Sequence, residues 1–225
     1  MDRGKLFNVA TPIGNLADIT LRAVETLKSV DLVVCEDTRV TGKLLKHFEI
    51  EKPMIILNDF NEVGQVSLIC SRLLVGEDVA LVSDAGTPLV SDPGFKLVRE
   101  AIDKNIKVES IPGPSSVITA LTVSGLPPDK FTYVGYLPKK DGKRKKFLED
   151  LRKNRAVVKS TIIAFESPFR LLKSLEDIKE VFEDIEIVVC RELTKIHEEI
   201  RREKVSGSIV YFSKAIPKGE IVILL

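Results

Sequence analysis

The sequence predicts an α/β protein of two domains, the first on a mostly parallel sheet and the second on a mixed one. Three observations carry this. From the N-terminus to about residue 111, short apolar runs alternate with amphipathic stretches. That rhythm packs as a parallel sheet with helices on both faces. The segment Ile111–Pro114, IPGP, then interrupts it. Towards the C-terminus, short apolar runs follow one another closely, which suits antiparallel pairs. The boundary is placed after Pro112, giving domains 1–112 and 113–225.

The elements follow in order. Lys5–Val9 reads as a strand and Leu21–Val30 as a helix capped by Asp18 or Thr20. Asp31–Cys35 is a strand, Thr41–Phe48 a helix and Met54–Leu57 a strand. In Glu62–Val75 the apolar Val66, Ile69, Cys70, Leu73 and Leu74 share one helical face. Asp78–Val82 reads as a buried strand, Phe95–Asp103 as a helix and Ile106–Ile111 as a strand. In the second domain Ser116–Ser124 is a small-residue helix and Phe131–Tyr136 a strand, and the basic segment leads into a helix near Phe147–Lys153. Thr161–Phe165 is a strand, and Leu171, Leu175, Ile178 and Phe182 stripe a helix. Glu186–Cys190, Ile209–Phe212 and Glu220–Leu225 read as the last strands.

Of 225 residues, 44% are hydrophobic and 30% charged, with formal net charge +1. This excludes a disordered chain. The longest uncharged run, Ile111–Pro128, is broken by four prolines, so no membrane-spanning helix is expected. Cys35, Cys70 and Cys190 are odd in number and far apart, which points to a reduced, cytoplasmic setting. His47 and His197 lie on different segments and no cysteine pair has zinc-ligand spacing, so no metal is expected. Charge is uneven. Lys139–Arg155 carries a local net of +6 and leaves −5 for the rest. A polyanion such as RNA suits that stretch, although a solvated helix start explains it as well.

In open α/β sheets functional residues gather at the carboxyl ends of strands. Four ends are unusual here. Ala10–Leu16, ATPIGNL, is a tight Pro/Gly turn without the glycine fingerprint of a dinucleotide site. Cys35–Arg39, CEDTR, sets two carboxylates beside an arginine, fit for substrate contact, proton abstraction or a structural ion pair. Ser83–Gly94, SDAGTPLVSDPG, is rich in small turn-formers, and its Gly86 admits a ligand close to the backbone. Pro112–Ser116 ends in two serines that suit a helix cap or a ligand.

The ordered set of segments resembles the tetrapyrrole-methylase superfamily of S-adenosylmethionine-dependent (class III SAM) methyltransferases. Within it, the chain is similar to the branch that methylates a cytidine 2'-hydroxyl in small-subunit (16S) ribosomal RNA. The matching segments are Thr11–Ala23, Cys35–Arg39, Leu81–Gly94, Ile111–Ser116, Gly135–Lys140, Phe165–Arg170, Cys190–Glu199 and Pro217–Val222. Eight in order across nearly the whole chain are far more specific than any one. The resemblance implies two α/β domains with the cofactor, S-adenosyl-L-methionine, in a cleft between them. It implies cofactor contacts at Pro12, Ile13, Asp84, Ala85, Gly86, Thr87, Ser115, Ser116, Phe165, Leu193, Pro217, Lys218 and Gly219. Asp37 and Glu36 are the candidate bases; Arg39, Lys139, Lys140, Lys143, Arg144 and Arg170 are the candidate RNA contacts. The expected partners are 16S rRNA or the assembled small subunit, and a second copy in a homodimer. The family usually continues past the last strand with a helical extension; this sequence ends at Leu225, so looser or different RNA contact is expected. Rival readings are methylation of a porphyrinoid or a diphthine precursor, or a non-catalytic RNA- or nucleotide-binding module.

Overall fold

The computed structural model describes residues 3–58 and 60–225. The chain divides into Met1–Ser115 and Ser116–Leu225. In the first unit the elements are β1 (Lys5–Val9), α1 (Leu21–Ser29), β2 (Leu32–Cys35), α2 (Thr38–His47), β3 (Met54–Ile56), α3 (Glu62–Leu74), β4 (Val79–Leu81), α4 (Phe95–Asp103) and β5 (Lys107–Ile111). The strands form one parallel sheet in the order β3-β2-β4-β1-β5. Thr20, not Asp18, caps α1: its hydroxyl accepts the Ala23 N–H at 3.1 Å.

Alternation along the strands sorts the two cores. Leu32, Val34, Val79 and Leu81 face α3 and α4, packing with Ile69, Cys70, Leu73, Leu97 and Ala101. Val33, Cys35, Ala80 and Val82 face the other way, with Ala23 and Leu27 of α1 and Leu45 of α2. In the central β2 and β4 both faces are buried, so their sequences, LVVC and VAL, are continuously apolar rather than alternating. The chain leaves β1 for α1 on one face, whereas it leaves the adjacent β4 for α4 on the other. The sheet therefore switches the side of its connections between β4 and β1, and the carboxyl edge at such a switch point is where sheets of this kind bind ligands.

The second unit comprises α5 (Ser116–Ser124), β6 (Phe131–Tyr136), α6 (Asp141–Val157), β7 (Thr161–Glu166), α7 (Leu171–Phe182), β8 (Glu186–Arg191), β9 (Glu199–Lys204), α8 (Val205–Phe212) and β10 (Ile221–Leu224). Its sheet runs β6-β7-β10-β8-β9, parallel at β6–β7 and antiparallel elsewhere. Leu148, Leu171, Leu175, Ile178 and Phe212 of the helices cover one face, on Ile162, Ala164, Val189 and Ile223. The expected mixed sheet is present, with two departures. Ile209–Phe212 is the end of a helix, because Val205, Ser208 and Phe212 recur at helical spacing and are buried together. The strand that pairs with β8 is instead Glu199–Lys204, a charged edge. Among the described residues no helix is long and apolar enough to cross a membrane.

Candidate functional site

The carboxyl edge of the first sheet gathers the loops singled out above. Thr11, just past β1, and Gly86, past β4, exchange two backbone hydrogen bonds at 2.9 and 3.1 Å. The Thr11 hydroxyl donates to the Ser83 carbonyl at 3.2 Å. The Thr87 hydroxyl donates to the Pro114 carbonyl at 3.1 Å, tying in the loop past β5. Gly86 has φ +81°, and a Cβ there would stand 3.2 Å from Ile13 Cγ2; a Cβ on Gly113 would stand 3.1 Å from that of Ala10. These glycines let three loops approach backbone to backbone. Thr11, Pro12, Ile13 and Gly86 are buried, Ala85, Thr87, Ser115 and Ser116 half-buried.

Glu62 at the start of α3 was not anticipated. Its buried carboxylate accepts the N–H groups of Gly94 and Lys96 at 3.3 Å and pairs with Lys96 Nζ at 2.8 Å. It thereby holds the end of the 83–94 loop and the entry to α4, where the helix has unpaired donors. A lone Glu opening a helix carries no sequence signal for that reach of 32 residues.

Asp37 and Asp84 meet at this edge: the Asp37 N–H donates to Asp84 Oδ1 at 3.2 Å. Asp37 caps α2, accepting the Arg39 N–H at 2.8 Å, and its carboxylate grips the Arg39 guanidinium at 2.5–3.1 Å. Those side-chain hydrogen bonds, with the backbone bond behind them, hold the Asp37 carboxyl down at about 2. A carboxylate so stabilised is a poor proton acceptor at neutral pH, so the geometry moves Asp37 from base to helix cap. Arg39 is likewise engaged with Asp37 rather than poised alone for a phosphate. Asp84 is shifted the other way, raised by partial burial despite the Asp37 N–H, with the negative charge of Asp37 adding to the rise. Glu36 is half-buried beside them.

This fixes a pH signature. A folded-state value below the ordinary 3.8 means that Asp37 stabilises the fold above about pH 4, and that this is lost as pH falls through about 2. Asp37→Asn should lower the denaturation midpoint at pH 7, with the difference from wild type closing by pH 2. An equal difference at both would mean that the charge contributes nothing.

In the second unit the expected contacts also share one sheet edge. Phe165 is next to last in β7, with its ring edge-on to Tyr133 and Tyr136 at 5.1 and 5.5 Å. Leu193 follows β8 in a turn where Glu192 and Thr194 adopt φ of 52° and 66°. Pro217–Gly219 precedes β10. Glu192 joins the two turns, accepting the Glu220 N–H at 3.0 Å and the Lys195 ammonium at 2.9 Å, while Arg191 donates to the Lys218 carbonyl at 3.1 Å. Left-handed non-glycine residues are held only where surroundings over-determine them, typically at ligand sites. The Thr194 hydroxyl oxygen is buried without a partner among the described residues. Glu198 accepts the Thr194 N–H at 2.6 Å and closes the turn.

Two of the expected RNA contacts, Arg144 and Arg170, are engaged inside the protein. Arg144 is 1% exposed. Its guanidinium bonds Asp177 at 2.7 Å, Asp141 at 2.8 Å and the Pro138 carbonyl at 3.3 Å, so it is no RNA contact. It lies four residues before the buried Leu148, a spacing that places it on the core face of α6. Arg170 is turned inward, paired with the buried Glu166 at 2.5 Å and bonded to the Leu137 carbonyl at 3.0 Å. Lys139, Lys140 and Lys143 are exposed.

Comparison with known proteins follows this geometry. The family model of the tetrapyrrole (corrin/porphyrin) methylases matches residues 5–207. The chain is 47% identical to ribosomal RNA small subunit methyltransferase I of Thermotoga maritima, over 99% of this chain and 98% of that protein. It is 46% identical to the protein of the same name from Synechocystis sp., over 99% of this chain and 78% of that one. Among solved structures, a diphthine synthase aligns with TM-score 0.77 at 16% identity, covering 99% and 90% of the two chains. Uroporphyrin-III-C-methyltransferase from Thermus thermophilus aligns at 0.65 and 18%, covering 99% and 94%. At those identities the structures speak for the fold alone.

Proposed function

The chain belongs to the tetrapyrrole (corrin/porphyrin) methylases, and we propose that it transfers a methyl group from S-adenosylmethionine to the 2'-hydroxyl of a cytidine in small-subunit (16S) ribosomal RNA. The observation that carries this is the near-half identity, end to end, to proteins named for methylating that RNA. The structural neighbours that act on other substrates are much more distant in sequence.

The donor, when bound, supplies an electrophilic methyl on a sulfonium. The residues present suit such a ligand. Pro12, Ile13 and Asp84–Thr87 form a crevice wall of backbone groups and small side chains, with Ser115 and Ser116 beside it. In the second unit, Phe165, Leu193 and Pro217–Gly219 are the proposed contacts, and the orphan Thr194 hydroxyl offers a further polar partner. The chain's main contribution is alignment, and positioning of this kind supplies roughly 7–11 kcal/mol of a barrier.

A ribose hydroxyl also needs a proton acceptor. With Asp37 held as a weakly basic anion, the role falls to Asp84 or Glu36, and the raised Asp84 carboxyl is the better matched. Asp84→Asn should cut turnover by roughly 10²-fold or more, while Asp37→Asn stays within a few-fold of wild type at pH 7. The reverse order would restore Asp37 as the base. Exposed Lys139, Lys140 and Lys143 attract the RNA backbone without reading its sequence. A ribosomal substrate puts the reaction in the cytoplasm, and a homodimer is the proposed assembly. The test is transfer of labelled methyl to protein-free rRNA and to assembled small subunits. Label in either supports the reading, and label in neither sinks it.

A further inference from the structure

This inference rests on the RNA reading and adds a second binding site to it. The charge of the basic segment is not spread evenly along α6. In the middle it is cancelled: Lys145 pairs with Glu180 at 2.5 Å, and Lys146 and Lys153 both approach Asp150, at 3.5 and 3.8 Å. Arg144 is buried in its own pairs. Among the described residues, no carboxylate pairs with Lys139, Lys140 and Lys143 at one end or with Arg155 and Lys159 at the other. At a rise of about 1.5 Å per residue, Lys143 and Arg155 are roughly 18 Å apart along the helix.

The two ends differ in shape. Around Arg155 and Lys159 a cavity of about 480 Å³ opens, lined also by Pro127, Arg152, Ala156, Ser160, Thr161 and Phe182. No acidic side chain lines it. Arg152 is fixed there by its bond to the Val181 carbonyl at 2.7 Å, and the exposed Glu183 stands 3.6 Å from it. A helix C-terminus attracts cations by itself, but that explains neither the cavity nor its apolar lining residues. A concave surface that combines apolar, hydroxyl and cationic side chains suits one ligand chemistry above others: a ribose or base against the apolar and hydroxyl groups with its phosphates on the cations.

We propose that the cavity lined by Pro127, Ala156, Phe182, Arg152, Arg155 and Lys159 is a second RNA-binding site that seats a nucleotide of the substrate strand. It lies about 18 Å along α6 from the Lys139–Lys143 contacts. At about 3.4 Å per nucleotide along a strand, some five nucleotides join the two. The site contributes affinity and register, not chemistry.

The test uses the full chain with protein-free small-subunit rRNA and with assembled subunits. For R155Q/K159Q, the slope of log affinity against log salt should fall by about 1.4 to 1.8, the release expected for two phosphate contacts. KM should rise about fivefold or more with kcat within twofold. Ala156→Phe, which fills the cavity and keeps the charge, should weaken binding with the slope unchanged. Thermal unfolding of both variants checks that the fold is intact. Unchanged slope and KM in an active enzyme would overturn the site and leave the function standing. Loss of binding to assembled subunits with none to protein-free rRNA would also overturn it, by assigning the cavity to a ribosomal protein. Failure of the wild type to methylate either RNA would instead strike at the function.

Discussion

Replacing Arg144 by Ala is expected to cost about 3–5 kcal/mol of stability, read as the shift in a denaturant midpoint at constant slope. The guanidinium and the Asp177 carboxylate are each 1% exposed and meet at 2.7 Å. Removing one partner strands the other charge in the core, with Lys173 no closer than 3.8 Å to answer it. The Pro138 carbonyl and Asp141 lose a donor as well, so the turn into α6 loosens. Exchanging both partners for apolar residues, R144M with D177L, should recover most of the loss, because no buried charge is then left over. Lys143→Ala, one residue away and exposed, should leave stability within about 0.5 kcal/mol and weaken RNA binding instead. A stable Arg144→Ala that flattened the salt dependence of RNA binding would return Arg144 to the RNA-contact set.

The second large effect is at Gly86. Gly86→Val should lower donor affinity by about 100-fold or more in calorimetry while the protein stays folded. The backbone there has φ +81°, a region that costs an ordinary residue roughly 1–2 kcal/mol and a branched one more. The new side chain would press on Ile13, 3.2 Å from its Cβ, and move towards the Pro114 carbonyl at 3.8 Å. It would therefore push the loops past β1, β4 and β5 apart together and break the paired bonds between Thr11 and Gly86. Gly64→Ala is the control, since nothing lies within 4 Å of its Cβ position. Wild-type affinity in Gly86→Val would remove the Thr11–Gly86 bridge from the donor site.

What was legible in the sequence followed from repetition and from burial on two faces. The first unit is a run of β-α repeats whose central strands, LVVC and VAL, are apolar throughout, and their order in sequence already implies a common carboxyl edge. What was hidden depended on partners distant in the chain. The strand Glu199–Lys204, EIRREK, has no apolar pattern because it is a sheet edge whose charges face solvent and one another, Arg201 on Glu203 at 2.7 Å. Ile209–Phe212, IVYF, has the composition of a strand, yet the buried spacing of Val205, Ser208 and Phe212 sets it as a helix. Arg144 sits within a run of lysines, and only the four-residue step to Leu148 betrays its inward face. At the site, the small-residue loops were conspicuous. The Asp37–Arg39 clamp and the reach of Glu62 to Gly94 were not, because both depend on side-chain geometry that no motif encodes.

The most direct measurement of the central claim uses the wild-type chain, S-adenosylmethionine labelled in its methyl group, and small-subunit rRNA. The product is hydrolysed in alkali, which cleaves every linkage whose neighbouring 2'-hydroxyl is free. Label in an alkali-resistant dinucleotide that begins with cytidine is the predicted result. Label released on a mononucleotide, marking a methylated base, or no label in the RNA at all, would contradict it.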